Sequence, residues 1–565
     1  MAEFTLKHIP TLFSAALGLG ELKKLEFYCK RANKIQENLL LSLMKKNKTT
    51  VYGKKNNFKD VHSIEDYQKI VPLTYYDDYA AYVQRMMNGE KGLITNSYYR
   101  RFAGSSGSTG KAKIIPLSAK SEWVCQCFGF SAPVGSAFKY FKSRGKLMPP
   151  QQGLLTAEIG CSKLKNGKTV SCISSVPLLN LKPLVPIFAS SPKELQFVDD
   201  DTKMDSHYLK LRFALQKRDI SYLTTIFITT LESMFFYMEE NWEMLCDDIE
   251  KGIINPSVEC PADMRAKLEK RLKPNPKRAE ELRKEFRKGF DCGPIVPRIW
   301  PNVSWMYGMG TGAVAIYQKK LQRYMGNIPA HYLGYAASEA LMAVPLELDS
   351  FEYVMLPHNG FYEFRPVDSD DYDNLLTIKD LEVGKEYEII LTNTSGFYRY
   401  RIEDVIRVTG FYHESPKVTF CYRLNQVANI SGEKMTQMAF DFIVNGLSER
   451  LNELFVGYSV YVDHSTSPGH YVLLIETAKP TEKSREDEYA KLFEELLCEN
   501  NPSAKPAFQN GSLGHCEVKF LRHGTYDDYR QMLKDRGANL NQVKPVKLID
   551  NEERKNFFFS HIIEE

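Results

Sequence analysis

No stretch of this 565-residue chain is apolar for long enough to cross a bilayer, which takes roughly 20 such residues. The best candidate, Ile220 to Tyr237, carries four threonines and Glu232 and reads as a buried helix. The apolar run Ile9 to Gly20 meets Glu21, Lys23, Lys24 and Glu26 at once, and Leu22 and Leu25 continue its stripe. It reads as an amphipathic helix rather than a signal peptide. Charge of one sign is scarce as well: the net charge is +4, too little to mark a nucleic-acid partner. Basic residues of 261–289 alternate with Glu269, Glu280, Glu281 and Glu285 and have almost no aromatic company. They read as solvated surface helices broken at Pro274 and Pro276, not as an RNA-binding patch. The eleven cysteines are scattered, and none has zinc-ligand spacing. An odd count without a disulfide framework points to a reducing compartment, so a cytoplasmic protein without nucleic-acid or membrane partners is expected. Internal repeats and low-complexity tracts are missing too.

What the chain does have is Gly104-Ser-Ser-Gly-Ser-Thr-Gly110, followed by Lys111 and Lys113. The flanks, Tyr98 to Phe102 and Ile114 to Leu117, are aromatic and β-branched and read as strands. A glycine- and hydroxyl-rich hairpin tip suits polyphosphate, because the backbone can come close and successive N–H groups form an anion nest. It is not a Walker loop: five residues separate Gly104 from Gly110, and Ala112 stands where that motif needs a hydroxyl. No helix follows directly, and Ser118 is the first N-cap. The same composition also suits an ordinary flexible tip.

Residues 1–90 read as mainly helical, with Ser63-Ile-Glu-Asp66 as a capping box. Residues 118–240 alternate helix-like and strand-like runs, and further strands are expected at 353–356, 360–364 and 387–392. The run Arg423-Leu-Asn-Gln-Val427 reads as a boundary. Beyond it a small unit follows in the order α-β-β-α-β-α, with strands at 455–462, 471–476 and 517–521 and a helix capped at Thr525.

Three patches stand in order: the 104–113 loop, Tyr335-Ala-Ala-Ser-Glu339, and Tyr398-Arg-Tyr-Arg-Ile-Glu-Asp404. With Trp300-Pro-Asn302, Thr311-Gly312, Val408-Thr-Gly-Phe411, Pro468-Gly-His-Tyr-Val472 and Asn541-Gln-Val-Lys544, they resemble the adenylate-forming, firefly-luciferase-like superfamily. Within it the chain is most similar to the acyl acid–amido synthetases of the auxin-responsive Gretchen Hagen family. The resemblance spans nearly the whole chain and rests on the order and spacing of the motifs. It implies an α/β fold with a large N-terminal adenylate-forming domain, 1–424, of β-sheets with helices and a small barrel-like part. A small, mobile α+β C-terminal domain, 425–565, follows, with a hinge at Asn425. Two departures stand out: Ala337 replaces a serine of the second motif, and Glu403 stands where the family has glycine, a position that calls for glycine's backbone freedom.

The implied reaction has two steps. A carboxylate attacks the α-phosphate of ATP, pyrophosphate leaves, and an amine, expected to be an amino acid, displaces AMP from the acyl-adenylate. By the same resemblance, Ser105, Ser106, Gly107, Ser108, Thr109 and Gly110 hold the β- and γ-phosphates. Ser338 bonds near the α-phosphate, Tyr335 stacks on adenine, and Asp404 accepts the ribose hydroxyls. Glu339 is the expected Mg²⁺ ligand. Arg423 lies at the ATP site by the boundary, and Lys434 and Lys544 are the catalytic cations, unranked. Phe130, Phe227 and Thr229 are acyl-pocket candidates that read equally well as core. His470 reads as structural. An acyl-CoA synthetase with a thiol acceptor, or a regulatory nucleotide-binding protein that lost catalysis, are the competing readings. A monomer acting on small molecules is expected.

Overall fold

The computed structural model describes residues 8–104, 113–150, 152–198, 202–309, 321–369, 371–424, 427–428, 430, 433, 435–466, 468–501, 503–509, 512–536 and 545–563, without the side chains of Phe227, Thr229, Met309 and Val427. The chain forms two compact units, Met1–Phe420 and Cys421–Glu565.

In the first unit, the helix His8–Cys29 buries His8, Thr11, Ala15, Gly18, Leu22, Leu25 and Cys29. Steps of three and four residues put these on one face, as the amphipathic reading expects. Gly18 lets this helix approach another closely: a Cβ there would lie 2.2 Å from the carbonyl oxygen of Ser131 and 2.6 Å from the nitrogen of Gly135. The second helical run comprises Ala119–Gln126, a π-helical turn over Cys127–Ser131, and Ala132–Ser143. Ser118 caps its start, accepting from the Ser121 N–H at 3.2 Å. The box expected at Ser63 forms by half. Ser63 Oγ accepts from the Asp66 N–H, but the Asp66 carboxylate accepts from His62 instead of Ser63.

The first sheet opens with β1 (Tyr99–Gly104) and β2 (Ile114–Ser118), paired antiparallel with Gly104 opposite Ile114, as the hairpin reading requires. Strand β3 (Gly153–Leu155) belongs to a second sheet, while β4 (Ser162–Lys163) and β5 (Thr169–Ser171) complete the first in the order β2-β1-β5-β4. Next come β6 (Tyr222–Phe227), β7 (Trp305–Met309) and β8 (Ala330–Tyr332), which give the parallel order β3-β6-β7-β8. Ile220 to Tyr237 is not one buried helix: β6 runs to Phe227 and the helix Ile228–Lys251 starts at the next residue. Tyr-Leu-Thr-Thr-Ile-Phe is aromatic and β-branched, and pairing on both edges with β3 and β7 satisfies its backbone. The charged stretch forms two helices, Ala262–Glu269 and Pro276–Phe286. Pro276 sits at the first turn, where its missing N–H costs nothing, and Asn275 caps through its side chain.

A seven-stranded sheet closes the unit: β9 (Tyr335–Ala337), β10 (Ala340–Val344), β11 (Tyr353–Met355), β12 (Gly360–Pro366), β13 (Glu386–Asn393), β14 (Tyr400–Tyr412) and β15 (Ser415–Arg423). Its order is β12-β13-β14-β15-β11-β10-β9. The largest core cluster packs it against the N-terminal helices, through residues such as Leu40, Tyr67, Tyr79, Phe361 and Tyr398.

In the second unit, β16 (Val427–Ala428) pairs with β17 (Met435–Thr436) ahead of the helix Gln437–Leu451. Strands β18 (Phe455–Asp463), β19 (His470–Thr477), β20 (Glu517–Phe520) and β21 (Leu548–Ile549) form the sheet β20-β19-β18-β21. The helices Glu486–Asn500, Ala504–Gln509, Thr525–Asp535 and Glu552–Phe559 complete it. The expected α-β-β-α-β-α order is present with one addition, the short helix Ala504–Gln509 ahead of β20. Strand β21 and the final helix lie beyond it, the strand being only two residues long and without a periodic signal. Thr525 is not the cap: Gly524 holds that place at φ +87°, and the Glu476 carboxylate accepts the N–H groups of Gly524 and Tyr526.

Candidate functional site

The site is built where β14 deforms. Glu388 pairs with Val405 and Ile390 with Arg401, so Ile389 alone on β13 faces Ile402, Glu403 and Asp404 on β14. Such a bulge re-aims the side chains it carries. Glu403 takes the left-handed backbone at φ +66°, the conformation that the family's glycine adopts freely. Asp404 turns inward, 2% exposed, and its Oδ2 accepts a hydrogen bond from the Tyr335 hydroxyl at 2.8 Å. The neighbouring arginines serve other carboxylates: Arg399 bonds Glu363, Arg401 bonds Glu388, and Arg407 bonds Glu386.

Tyr335 opens β9, and Ala337 pairs with Ala340, leaving Ser338 and Glu339 as a two-residue hairpin tip. The Glu339 backbone oxygen accepts from Asn393 Nδ2 at 3.0 Å. Asn393 ends β13, and its Oδ1 accepts the N–H groups of Ser395, Gly396 and Phe397, each at 3.0 Å. The same turn grips the base of the β1–β2 hairpin: Ser118 N–H donates to Ser395 Oγ at 3.0 Å, and the Ser118 and Thr394 hydroxyls share a 2.7 Å bond. Tyr76 adds a second hold. Its hydroxyl lies 3.0 Å from the Ile114 carbonyl oxygen and 2.8 Å from the Ile114 nitrogen. Burial above all, with the Glu339 charge adding, pushes the Tyr76 phenol above its ordinary pKa. The Lys113 ammonium stands 5.6 Å from the centre of that ring. The structure thus joins the hairpin base, the Glu339 tip and the Asp404 bulge into one buried polar cluster.

Of the residues singled out from sequence, Tyr335, Glu339 and Asp404 belong to this cluster and Ser338 sits on the same tip. Ser105 to Gly110, Lys434 and Lys544 lie outside the described residues, as does Asn425. Arg423 ends β15, half-buried. Phe130 lies in the π-helical turn with its ring 5.7 Å from that of Phe188, and it packs against the cluster to which Phe188, Tyr222, Trp305 and Tyr307 belong. Phe227 closes β6 and Thr229 lies in the first turn of the following helix; their side chains are outside the description. His470 is held by Thr466 at 3.1 Å and Glu517 at 3.4 Å, which fits a structural residue. Sequence reading missed Tyr76 and Asn393. Asn393-Thr-Ser-Gly396 is a turn signal that could have flagged the second, whereas nothing local distinguishes Tyr76 from core tyrosines.

The hairpin tip offers one carboxylate, that of Glu339, an oxygen donor of the hard kind that Mg²⁺ takes. Among the described residues no group of three or more His, Cys, Asp or Glu is placed to hold a metal. A single carboxylate with phosphate oxygens is the usual arrangement for Mg²⁺. No helix among the described residues is long and apolar enough to cross a membrane.

Three family descriptions match the chain in sequence: the GH3 family N-terminal domain over 21–330, its central domain over 353–423 and its C-terminal domain over 442–553. The chain belongs to the GH3 family. An indole-3-acetic acid-amido synthetase of Oryza sativa subsp. indica is 28% identical, with 95% of this chain and 92% of that one covered. A jasmonoyl–L-amino acid synthetase of Oryza sativa subsp. japonica is 25% identical over 94% and 95%. The solved GH3.15 acyl acid amido synthetase superposes with a TM-score of 0.79 at 25% identity, covering 96% of both chains. The GH3 chain is accordingly an acyl acid–amido synthetase, an ATP-using ligase that forms an amide through an adenylate.

Proposed function

We propose that this GH3 chain activates its carboxylic acid on ATP at the cluster of Tyr335, Ser338, Glu339 and Asp404. The observation that carries this is the buried Tyr335–Asp404 hydrogen bond beside a carboxylate tip anchored to the hairpin base. A carboxylate has about four lone-pair sites. The bond from Tyr335 uses one and fixes the orientation of Asp404 for the vicinal hydroxyls of ribose. The Tyr335 ring offers a face for adenine, and the Ser338 hydroxyl a donor near the α-phosphate. Glu339 is the ligand for Mg²⁺, which when bound neutralises charge along the triphosphate. The tip residues Ser105 to Gly110 take the β- and γ-phosphates. Arg423, Lys434 and Lys544 supply further positive charge from the boundary and the small C-terminal domain, for which 424/425 remains the proposed limit and hinge.

The acid is proposed to have an apolar body of the size of indole-3-acetic or jasmonic acid, named for the two rice relatives, and the amine to be an amino acid. The aromatic cluster against which Phe130 packs supports such a body, and Phe227 and Thr229 remain proposed as further lining. A monomer working in the cytoplasm completes the proposal. The test is a matrix of carboxylic acids against the protein amino acids and coenzyme A, with ATP and Mg²⁺ and product masses read out. Amide and AMP for at least one acid–amino acid pair are expected. A thioester with no amide would assign the acceptor wrongly, and a wholly inactive matrix would favour a lapsed enzyme.

A further inference from the structure

We propose that Asn393 is a positioning residue of the adenylation step: it sets the height and direction of the Glu339 tip relative to the phosphate-side hairpin. This rests on the reading of Glu339 as the Mg²⁺ ligand.

Asn393 is 2% exposed, and both ends of its amide are used. The carbonyl end gathers three successive N–H groups and so folds residues 394–397 into one rigid turn. Gly396 completes that turn at φ +112°, where a Cβ would meet Ile94 and Thr95 at about 3.0 Å, so side chains are excluded there. The amide end donates to the Glu339 backbone. Because Thr394 and Ser395 of the same turn hold Ser118, a displacement of the hairpin base and one of the Glu339 tip are linked through this single side chain. The tip is only two residues long, and an atom moved by about 1 Å at a reacting centre is costly. The amide of Asn suits this double role, because only a group with a donor at one end and an acceptor at the other can serve both backbones.

The chemistry offers a clean dissection. In Asn393→Asp both side-chain oxygens accept, so the turn keeps its three bonds while the link to the Glu339 carbonyl becomes a repulsion. In Asn393→Ala both functions go. The full chain is used, and ATP binding is measured by calorimetry with Mg²⁺ and with excess EDTA, the ratio of the two affinities being the readout. Thermal unfolding is recorded in parallel, and Glu339→Gln is the reference. Asn393→Asp should keep its cooperative transition and its metal-free ATP affinity, yet lose about tenfold of the Mg²⁺ enhancement, the usual scale for an outer-shell partner. Asn393→Ala should lose the same enhancement together with stability. A wild-type ratio in Asn393→Asp, with the ratio lowered in Glu339→Gln, overturns the positioning role alone. An unchanged ratio in Glu339→Gln overturns the Glu339 reading and the role of Asn393 with it. Loss of ATP affinity equally with and without Mg²⁺ in Asn393→Asp also overturns the proposal, because it marks general damage to the site.

Discussion

Tyr335 and Asp404, 69 residues apart in sequence, meet through a 2.8 Å hydrogen bond in the buried part of the seven-stranded sheet. The bond ties the second sequence patch to the third, and it lies between strands that are not neighbours in that sheet. If this pair holds the nucleoside, its two members act as a unit. Asp404→Ala should weaken ATP at least about tenfold, since hydrogen bonds to a charged group are worth about 1.5–3 kcal/mol each. Tyr335→Phe should cost about threefold to tenfold, and the double variant less than the sum of the two. Calorimetric titration of ATP into each folded variant checks this, and strictly additive losses would separate the two roles.

Glu339→Gln keeps the shape of the hairpin tip and removes its charge. Turnover should fall by at least about tenfold, with acyl-acid binding close to wild type, since the carboxylate acts as phosphates rearrange. Steady-state rates across a Mg²⁺ titration measure it. A wild-type rate with unchanged Mg²⁺ dependence would remove the carboxylate from the mechanism.

Glu403 is strained where the family has glycine. An L-residue in the left-handed region costs roughly 1–2 kcal/mol, of which glycine's greater unfolded-state entropy gives back up to about 1. Glu403→Gly should therefore be neutral or more stable by up to about 1 kcal/mol, with activity kept. Glu403→Val should be the less stable of the two by at least about 1 kcal/mol. Denaturant unfolding of the pair decides it, and equal midpoints would mean that the bulge relaxes around the larger residue.

His331 gives the fold a pH dependence of its own. It is 1% exposed in β8, and burial pushes its pKa from 6.5 down to about 4. The unfolded chain takes up this proton near 6.5, whereas the folded chain does so only near 4. Acidification across that window therefore favours unfolding. The contribution is intact above 6.5 and lost by about 4, and amounts to roughly 3 kcal/mol. Stability measured from pH 7 to pH 4 should fall less steeply in His331→Leu, by about one proton's worth. An unchanged slope would show that His331 is charged or solvated in the folded chain.

Much of this was legible beforehand because the signals were local or ordered. The hairpin flanks, the Ser118 cap and the β-β-α core of the second unit follow from composition and spacing within short windows. The roles of Tyr335, Glu339 and Asp404 came from resemblance. The strain at Glu403 followed from asking which backbone a glycine would have allowed. What escaped was non-local. Ile220 to Tyr237 keeps apolar residues on both sides of the strand-to-helix junction at Phe227, so nothing in its periodicity places that junction; pairing with β3 and β7 does. The work of Asn393 depends on partners 54 residues before it and two to four after it, of which only the second group leaves a local mark.

The most direct measurement is isotope exchange between pyrophosphate and ATP, run with Mg²⁺ and an acid that supports amide formation, with no amine present. Exchange that requires both the acid and Mg²⁺, and that drops at least about tenfold in Asp404→Ala, is the predicted result. Exchange without any acid, or ADP and phosphate released in place of AMP and pyrophosphate, would contradict adenylation at this site.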